Sequence, residues 1–345
     1  MKKIIAFMLS LVLLVSCTMT GAAFAEDRKI SVVTTIFPIY DWVREIVKND
    51  ADHVSLTLLL DNGVDLHSYQ PTAQDVLTIS TADLFIYVGG ESDEWVEDVL
   101  ASAMNPDLKA INLVEAMGGE IRMEEVVEGM EHEHHHDHDE EEDEDGDEDR
   151  DHEHEEHDHD HDEEEEEEAD EHVWLSVRCA EKLTAAIAEG LYEIDPGHAE
   201  HYRENTAAYL EKLADLDARY AETVSSAAYK TMLFGDRFPF RYLADDYGLT
   251  YYAAFAGCSA ESEASFATIV FLAQKVDELG LPAVLTIEHS KTKIADTIVQ
   301  NTAEKNQEIL VLDSMQGTTA ADIQAGMTYL SVMEANLEVL KEALN

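Results

Sequence analysis

Seven short apolar runs rich in β-branched residues, separated by stretches of helical spacing, restrict this chain to few folds. ISVVTTI (30–36), VSLTLLL (54–60) and DLFIYVG (83–89) read as strands in the first half, and the last two are continuous enough for a sheet buried on both faces. YKTMLFG (229–235), LTYYAAF (249–255), PAVLTIE (282–288) and EILVLD (308–313) read as strands in the second half. Helical patterns lie between them at 40–49, at 72–82 with Thr72 as N-cap, and at 264–280 and 290–306, ending near Gly280 and Asn306. Strands that alternate with helices pair in parallel through right-handed crossovers. The expected fold class is therefore α/β: two β-α-β lobes with mostly parallel sheets, joined by one long backbone helix.

That helix is placed at 195–225. Asp195 and Pro196 suit its N-cap and first turn, and Tyr202, Tyr209, Leu213, Leu216 and Tyr220 form one apolar stripe over roughly 25 residues, about 35–40 Å. The expected lobes are 27–190 and 228–345, each large enough to bury a core of its own. A single stiff connection disfavours a wide hinge.

Residues 131–171 break the pattern. They hold 28 acidic side chains against one basic residue, Arg150, and so carry −27 of the net charge of −53. With almost no apolar side chains they cannot offset the entropy of ordering, and a disordered loop inserted into the first lobe is expected, with order resuming at His172 and a helix after VWLS. Ten of the sixteen histidines lie in this tract: His132, His134, His135, His136, His138, His152, His154, His157, His159 and His161. The remainder of the chain still carries −26, which argues against nucleic acid and anionic lipid as partners and fits a cationic ligand.

The N-terminus, 1–25, has two lysines, an apolar run from Ile4 to Val15 and small residues, the pattern of an export signal too short to span a membrane. LVSC places Cys17 as a lipidation site that would anchor the exported chain to the cell membrane; a cleavage site after AFA would instead release a soluble periplasmic or secreted protein. Cys179 and Cys258 are too few for a cysteine zinc site and read as small buried residues.

In open α/β sheets, ligands sit beyond the strand ends. His67 follows the strand VSLTLLL, His172 ends the acidic tract, Asp313 closes EILVLD, and Glu288 closes PAVLTIE with His289 beside it. His53, His198 and His201 read as solvated or structurally satisfied. There is no HExxH arrangement, no evident Ser/His/Asp set and no Gly-rich phosphate loop, so the chain does not read as an enzyme.

Taken together, VVTTIFPIYDWVREI, GVDLHSYQPTAQDV, the His-rich acidic tract, EHVWLS, DDYGLTYYAAFAGCSAESEAS and the strand-end aspartate resemble the zinc- and manganese-binding receptors of bacterial ABC metal importers. The resemblance spans the chain from Ile30 onward. It implies an extracytoplasmic receptor that holds one metal ion in the cleft between two lobes and docks on an ABC permease in the membrane. It implies His67 as first ligand, although Leu66 stands where the family has proline, His172 as second and Asp313 as fourth. The third position falls on Arg237, which has no lone pair to donate. Water, Glu288, His289 or a tract histidine remain open for that place, and Arg237 is expected to pair with Glu288 or Asp236. Two imidazoles and a carboxylate suit Zn2+ and tolerate Mn2+, and the histidines of the tract favour zinc, as low-affinity collectors. The alternatives are a manganese receptor of the same family or a metal-dependent adhesin.

Overall fold

A computed structural model describes residues 29–130, 168–259 and 263–345. The export segment, Cys17 and the ten tract histidines lie outside the described residues. The strands form two four-stranded parallel sheets. The first has the order β2-β1-β3-β4, with β1 Ile30–Thr34, β2 Val54–Leu58, β3 Leu84–Tyr87 and β4 Lys109–Asn112. The second repeats it as β6-β5-β7-β8, with β5 Thr231–Arg237, β6 Thr250–Phe255, β7 Ala283–Thr286 and β8 Glu308–Val311.

Two differences from the sequence reading follow from position in the sheet. β2 is an edge strand bonded only to β1 and is half-exposed along most of its length, so it is not buried on both faces as its apolar run implied; β3, a central strand, is buried. β4 escaped notice because it is four residues long, starts with Lys109 and ends with Asn112.

Around the sheets pack α1 Phe37–Val47, α2 Ala73–Ser80, α3 Trp95–Ala101, α4 Leu113–Met117, α5 Val177–Ile194 and α6 Ala199–Ser226. They are followed by α7 Arg241–Tyr247, α8 Phe266–Leu279, α9 Lys293–Asn301, α10 Ala320–Gln324 and α11 Tyr329–Ala343. Thr72 caps α2 in a capping box: its hydroxyl accepts from Asp75 N, and the Asp75 carboxylate accepts from Thr72 N. α8 ends on Gly280 at φ 64°, the left-handed conformation that favours glycine. α9 stops at Asn301, short of the expected Asn306, because Thr302 turns extended and its hydroxyl caps Val299 O.

The long helix, α6, has 28 residues, about 42 Å at 1.5 Å per residue. It starts at Ala199, not at Asp195. Asp195 is the C-cap of α5, and its carboxylate accepts from Tyr202 Oη at 2.8 Å, which pins the tight turn between the two helices. Tyr202, Tyr209, Leu213, Leu216 and Tyr220 are each at most 1% exposed. This stripe packs on α1 and α5 of the first lobe and on α7 and α11 of the second. α11, which the sequence reading did not single out, closes the arrangement: Tyr329 N donates to Asp41 Oδ2 of α1 at 2.7 Å, and the Tyr329 ring stands edge-on to Trp42. One hydrophobic cluster consequently runs through both lobes, from Val32 to Leu344.

The expected boundary of the acidic loop, 171, lies too far along the chain. Ala169 bridges Met123, Glu124 N donates to Glu168 O, Asp170 N donates to Arg122 O, and Asp170 and Glu171 are 2% exposed. Composition alone hid this, because the residues are acidic yet their backbone is paired and their carboxylates are used inside the fold.

Two outcomes follow for stability. Leu213→Ala should cost about 2–5 kcal/mol of unfolding free energy in urea titrations, since it opens a cavity at the seam between the lobes. Asp41 is raised from 3.8 to about 6, chiefly by burial, against the lowering effects of Tyr329 N and Arg44. The folded state therefore holds that proton more tightly than the unfolded state, and the associated stability fades as pH rises through about 6. Wild type should therefore lose stability relative to Asp41→Asn between pH 4 and pH 7, read from urea titrations at each pH.

Candidate metal centre

In each sheet the strand order reverses beside the first strand, so the loops that leave the C-terminal strand ends splay apart and open a crevice there. The two crevices share one region. Asn62 after β2 bridges Thr319, Ala320 N donates to Asp61 O, and Trp174 Nε1 donates to Ser314 O at 2.9 Å.

His67 enters this region on a short 3-10 turn, Leu66–Ser68, capped by Asp65, whose Oδ1 accepts from His67 N at 3.0 Å. Its Nδ1 lies 2.8 Å from Ser92 Oγ, in the loop after β3, and 3.7 Å from Glu171 Oε2. That loop needs Gly90, at φ 79°, because a Cβ there would lie 2.4 Å from Glu171 Oε1, the oxygen that accepts from Ser92 N. His172 is fully buried; its backbone N and its Nδ1 both face Asp170 Oδ1, at 2.9 and 3.1 Å.

Asp170 as a carboxylate can only accept, so His172 carries its proton on Nδ1 and turns the Nε2 lone pair inward. His67 Nε2 lies 3.1 Å from it. When His67 gives its Nδ1–H to Ser92, two lone pairs face each other, and they repel unless a proton or a cation is shared between them. Two nitrogens bound to a tetrahedral zinc at about 2.0–2.1 Å stand about 3.3 Å apart, so the pair is already near ligand spacing. Burial first, and then the neighbouring His172, push His67 down to about 3, which keeps its imidazole in the neutral, ligating form.

Sγ of Cys258 completes the group: one ligand atom from each of His67, His172 and Cys258 lies within 4.8 Å of the others. Asp313 does not join this group. It sits near Glu288 and His289, its Oδ1 accepts from Met315 N, and burial followed by the Glu288 charge raises it to about 6. Glu288 organises the loop after β8, accepting from Ser314 N, Ser314 Oγ, Gln316 N and Gly317 N. His289 lies over Gly317, at φ 56°, and outside the His67 group. The Arg237 guanidinium pairs with Asp65 at 2.5 Å, not with Glu288 or Asp236; Asp236 instead accepts from backbone N–H groups of Arg237 and Ile287. Burial works to raise Asp65, but Arg237 and His67 together outweigh it and hold the carboxyl below its ordinary range.

Cys258, read from the sequence as a small buried residue, is only partly buried and stands just past the strand LTYYAAF, where the same strand-end rule applies as for His67. Counting cysteines concealed its position. Cys179 and Cys258 are both free thiols, and no disulfide links them. A second group, His53, Asp195 and His198, also brings ligand atoms within 4.8 Å, at the turn between α5 and α6, where Asp195 already has the capping role described above.

The sequence matches the family model described as zinc-uptake complex component A, periplasmic (ZnuA), over residues 32–343. It is 32% identical over 344 residues to zinc-binding lipoprotein AdcA of Streptococcus pneumoniae (strain ATCC BAA-255 / R6), covering 99% of this chain and 61% of that protein. It is 31% identical over 324 residues to the high-affinity zinc uptake system protein ZnuA of Bacillus subtilis (strain 168), covering 94% of this chain and 90% of that protein. The Zn(II)-bound ZnuA-like domain of Streptococcus pneumoniae AdcA superposes with a TM-score of 0.67 at 29% identity, covering 92% of this chain and 99% of that one. The chain thus spans 61% of the length of the streptococcal AdcA relatives it matches. With its two parallel α/β lobes and a match over nearly all the described residues, the chain belongs to the ZnuA family.

Proposed function

We propose that this chain is an extracytoplasmic receptor that captures Zn2+ in the cleft between its lobes and hands it to an ABC permease. The observation that carries this reading is the His67–His172 pair: one partly buried and one fully buried imidazole, each oriented through Nδ1, with Nε2 atoms 3.1 Å apart. A carboxylate on the far nitrogen of a ligating histidine fixes its tautomer and raises its basicity, and Asp170 does this for His172. The relatives AdcA and ZnuA are named for zinc binding and zinc uptake, in agreement with this donor chemistry.

The acidic surroundings position the histidine pair. The carboxylates nearest the pair are committed: Asp65 to His67 N and Arg237, Asp170 to His172, and Glu171 to Ser92 N. The domain roles fit the same picture, with residues 27–190 supplying the histidine pair, 228–345 closing the cleft, and 131–167 feeding metal to it through weak His and carboxylate sites. Lipid on Cys17 would hold the receptor beside its permease.

Zinc calorimetry on the mature chain should reveal one tight site that survives removal of residues 131–167, and His67→Ala or His172→Ala should each abolish it. Loss of tight binding with the tract, together with wild-type binding by both histidine variants, would overturn the assignment. Mn2+ should bind more weakly than Zn2+ at the same site. Asp170→Ala should lower zinc affinity roughly 10–100-fold through loss of the imidazole's support, read as a weaker dissociation constant with unchanged stoichiometry.

A further inference from the structure

We infer that Cys258 supplies the third protein ligand as a thiolate, standing in for the donor that Arg237 cannot be; this rests on the receptor reading above. Arg237 is unable to coordinate and is engaged with Asp65 across the lobes. The adjacent strand provides the substitute. In the sheet register Arg237 pairs with Phe255, so the residues after Phe255 emerge at the same end of the sheet, and Cys258 is the third of them.

The approach is built in. A Cβ on Gly257 would lie 3.1 Å from Cε1 and 3.2 Å from Nδ1 of His172, and 3.0 Å from Phe238 O, so a side chain there would crowd the ring, and glycine lets the backbone lie this close without a shift. Cys258 N donates to Glu124 Oε1 at 2.9 Å, and Glu124 N donates to Glu168 O, four residues before His172. The thiol and the second imidazole are therefore held by the same stretch of the first lobe. Tyr242 Oη, in α7, donates to Asp170 O and accepts from Arg122 N, which ties the second lobe to that stretch as well. The three donor atoms lie within 4.8 Å of one another without rearrangement of the loop.

Coordination replaces the thiol proton by the metal: the S–H bond breaks, a Zn–S bond forms, and the proton leaves to solvent. No oxidation is involved. Two neutral imidazoles and one thiolate leave Zn2+ with a net charge of +1 and a fourth position for water or a cleft carboxylate. A thiolate is a soft donor, so this set discriminates against Mn2+ more strongly than a set with a third imidazole or a carboxylate in its place.

The test uses Co2+ as a spectroscopic probe and Zn2+ for affinity, on the full mature chain. Co2+-loaded wild type should show a thiolate-to-cobalt charge-transfer band in the near ultraviolet. Cys258→Ser should lose that band, keep the visible d–d bands of a bound cobalt ion, and weaken zinc by more than the roughly 10–100-fold that loss of a supporting hydrogen bond costs. Cys258→His should recover most of the zinc affinity without the band, which separates loss of a donor from loss of fold. Cys179→Ser should leave the band in place. Wild-type zinc affinity in Cys258→Ser, or a wild-type cobalt protein without the band, overturns the inference while leaving the receptor reading intact if His67→Ala still abolishes binding. If His67→Ala and His172→Ala also bind zinc as wild type does, the receptor reading itself fails.

Discussion

Residues 170–174 hold this structure together, because one short segment is bonded to both lobes and carries a site histidine. Asp170 fixes His172 and accepts from Tyr242 of the second lobe through its carbonyl. Two residues beyond His172, Trp174 donates to Ser314 and accepts from Tyr329 through its own carbonyl. Both partners of Trp174 belong to the second lobe. Each of these groups is buried, so breaking one bond leaves a polar atom without water, at a cost of about 1–3 kcal/mol. The position of His172 is thus fixed by the same bonds that fix the lobes relative to each other.

The electrostatics of the cleft follow from burying carboxylates beside a cation site. Asp65, Asp170 and Glu171 surround the histidine pair, with Arg237 as the compensating charge on Asp65. Burial raises Glu171, and it raises Asp93 to about 7, so the surroundings of the histidine pair hold titratable carboxyls that a divalent cation would favour in ionised form. An arginine in this setting is a clamp rather than a defect in the ligand set. It neutralises the aspartate that orients His67.

The repeated strand order makes the two lobes alike in how they present loops, and α6 spans both as a single rigid element. Its buried stripe and the shared hydrophobic cluster oppose a large rotation of one lobe against the other.

Much of this was legible in the sequence. Alternating apolar runs specified parallel α/β lobes, the spacing of Tyr202, Tyr209, Leu213, Leu216 and Tyr220 specified one long helix with a buried stripe, and strand-end polarity marked His67 together with Asp313 and Glu288, while the family resemblance implied His172. These signals are local: periodicity, capping and turn chemistry act over a few residues and can be read from a few residues. The partner of Arg237, the exclusion of Asp313 from the histidine group, the capping role of Asp195 and the convergence of Cys258 were decided only by the tertiary structure. Asp65 and Arg237 are 172 residues apart, and His67 and His172 are 105 apart. Pairings at that separation are set by how sheets and helices pack, and no local pattern in the chain encodes which of several acceptable partners the packing brings within reach.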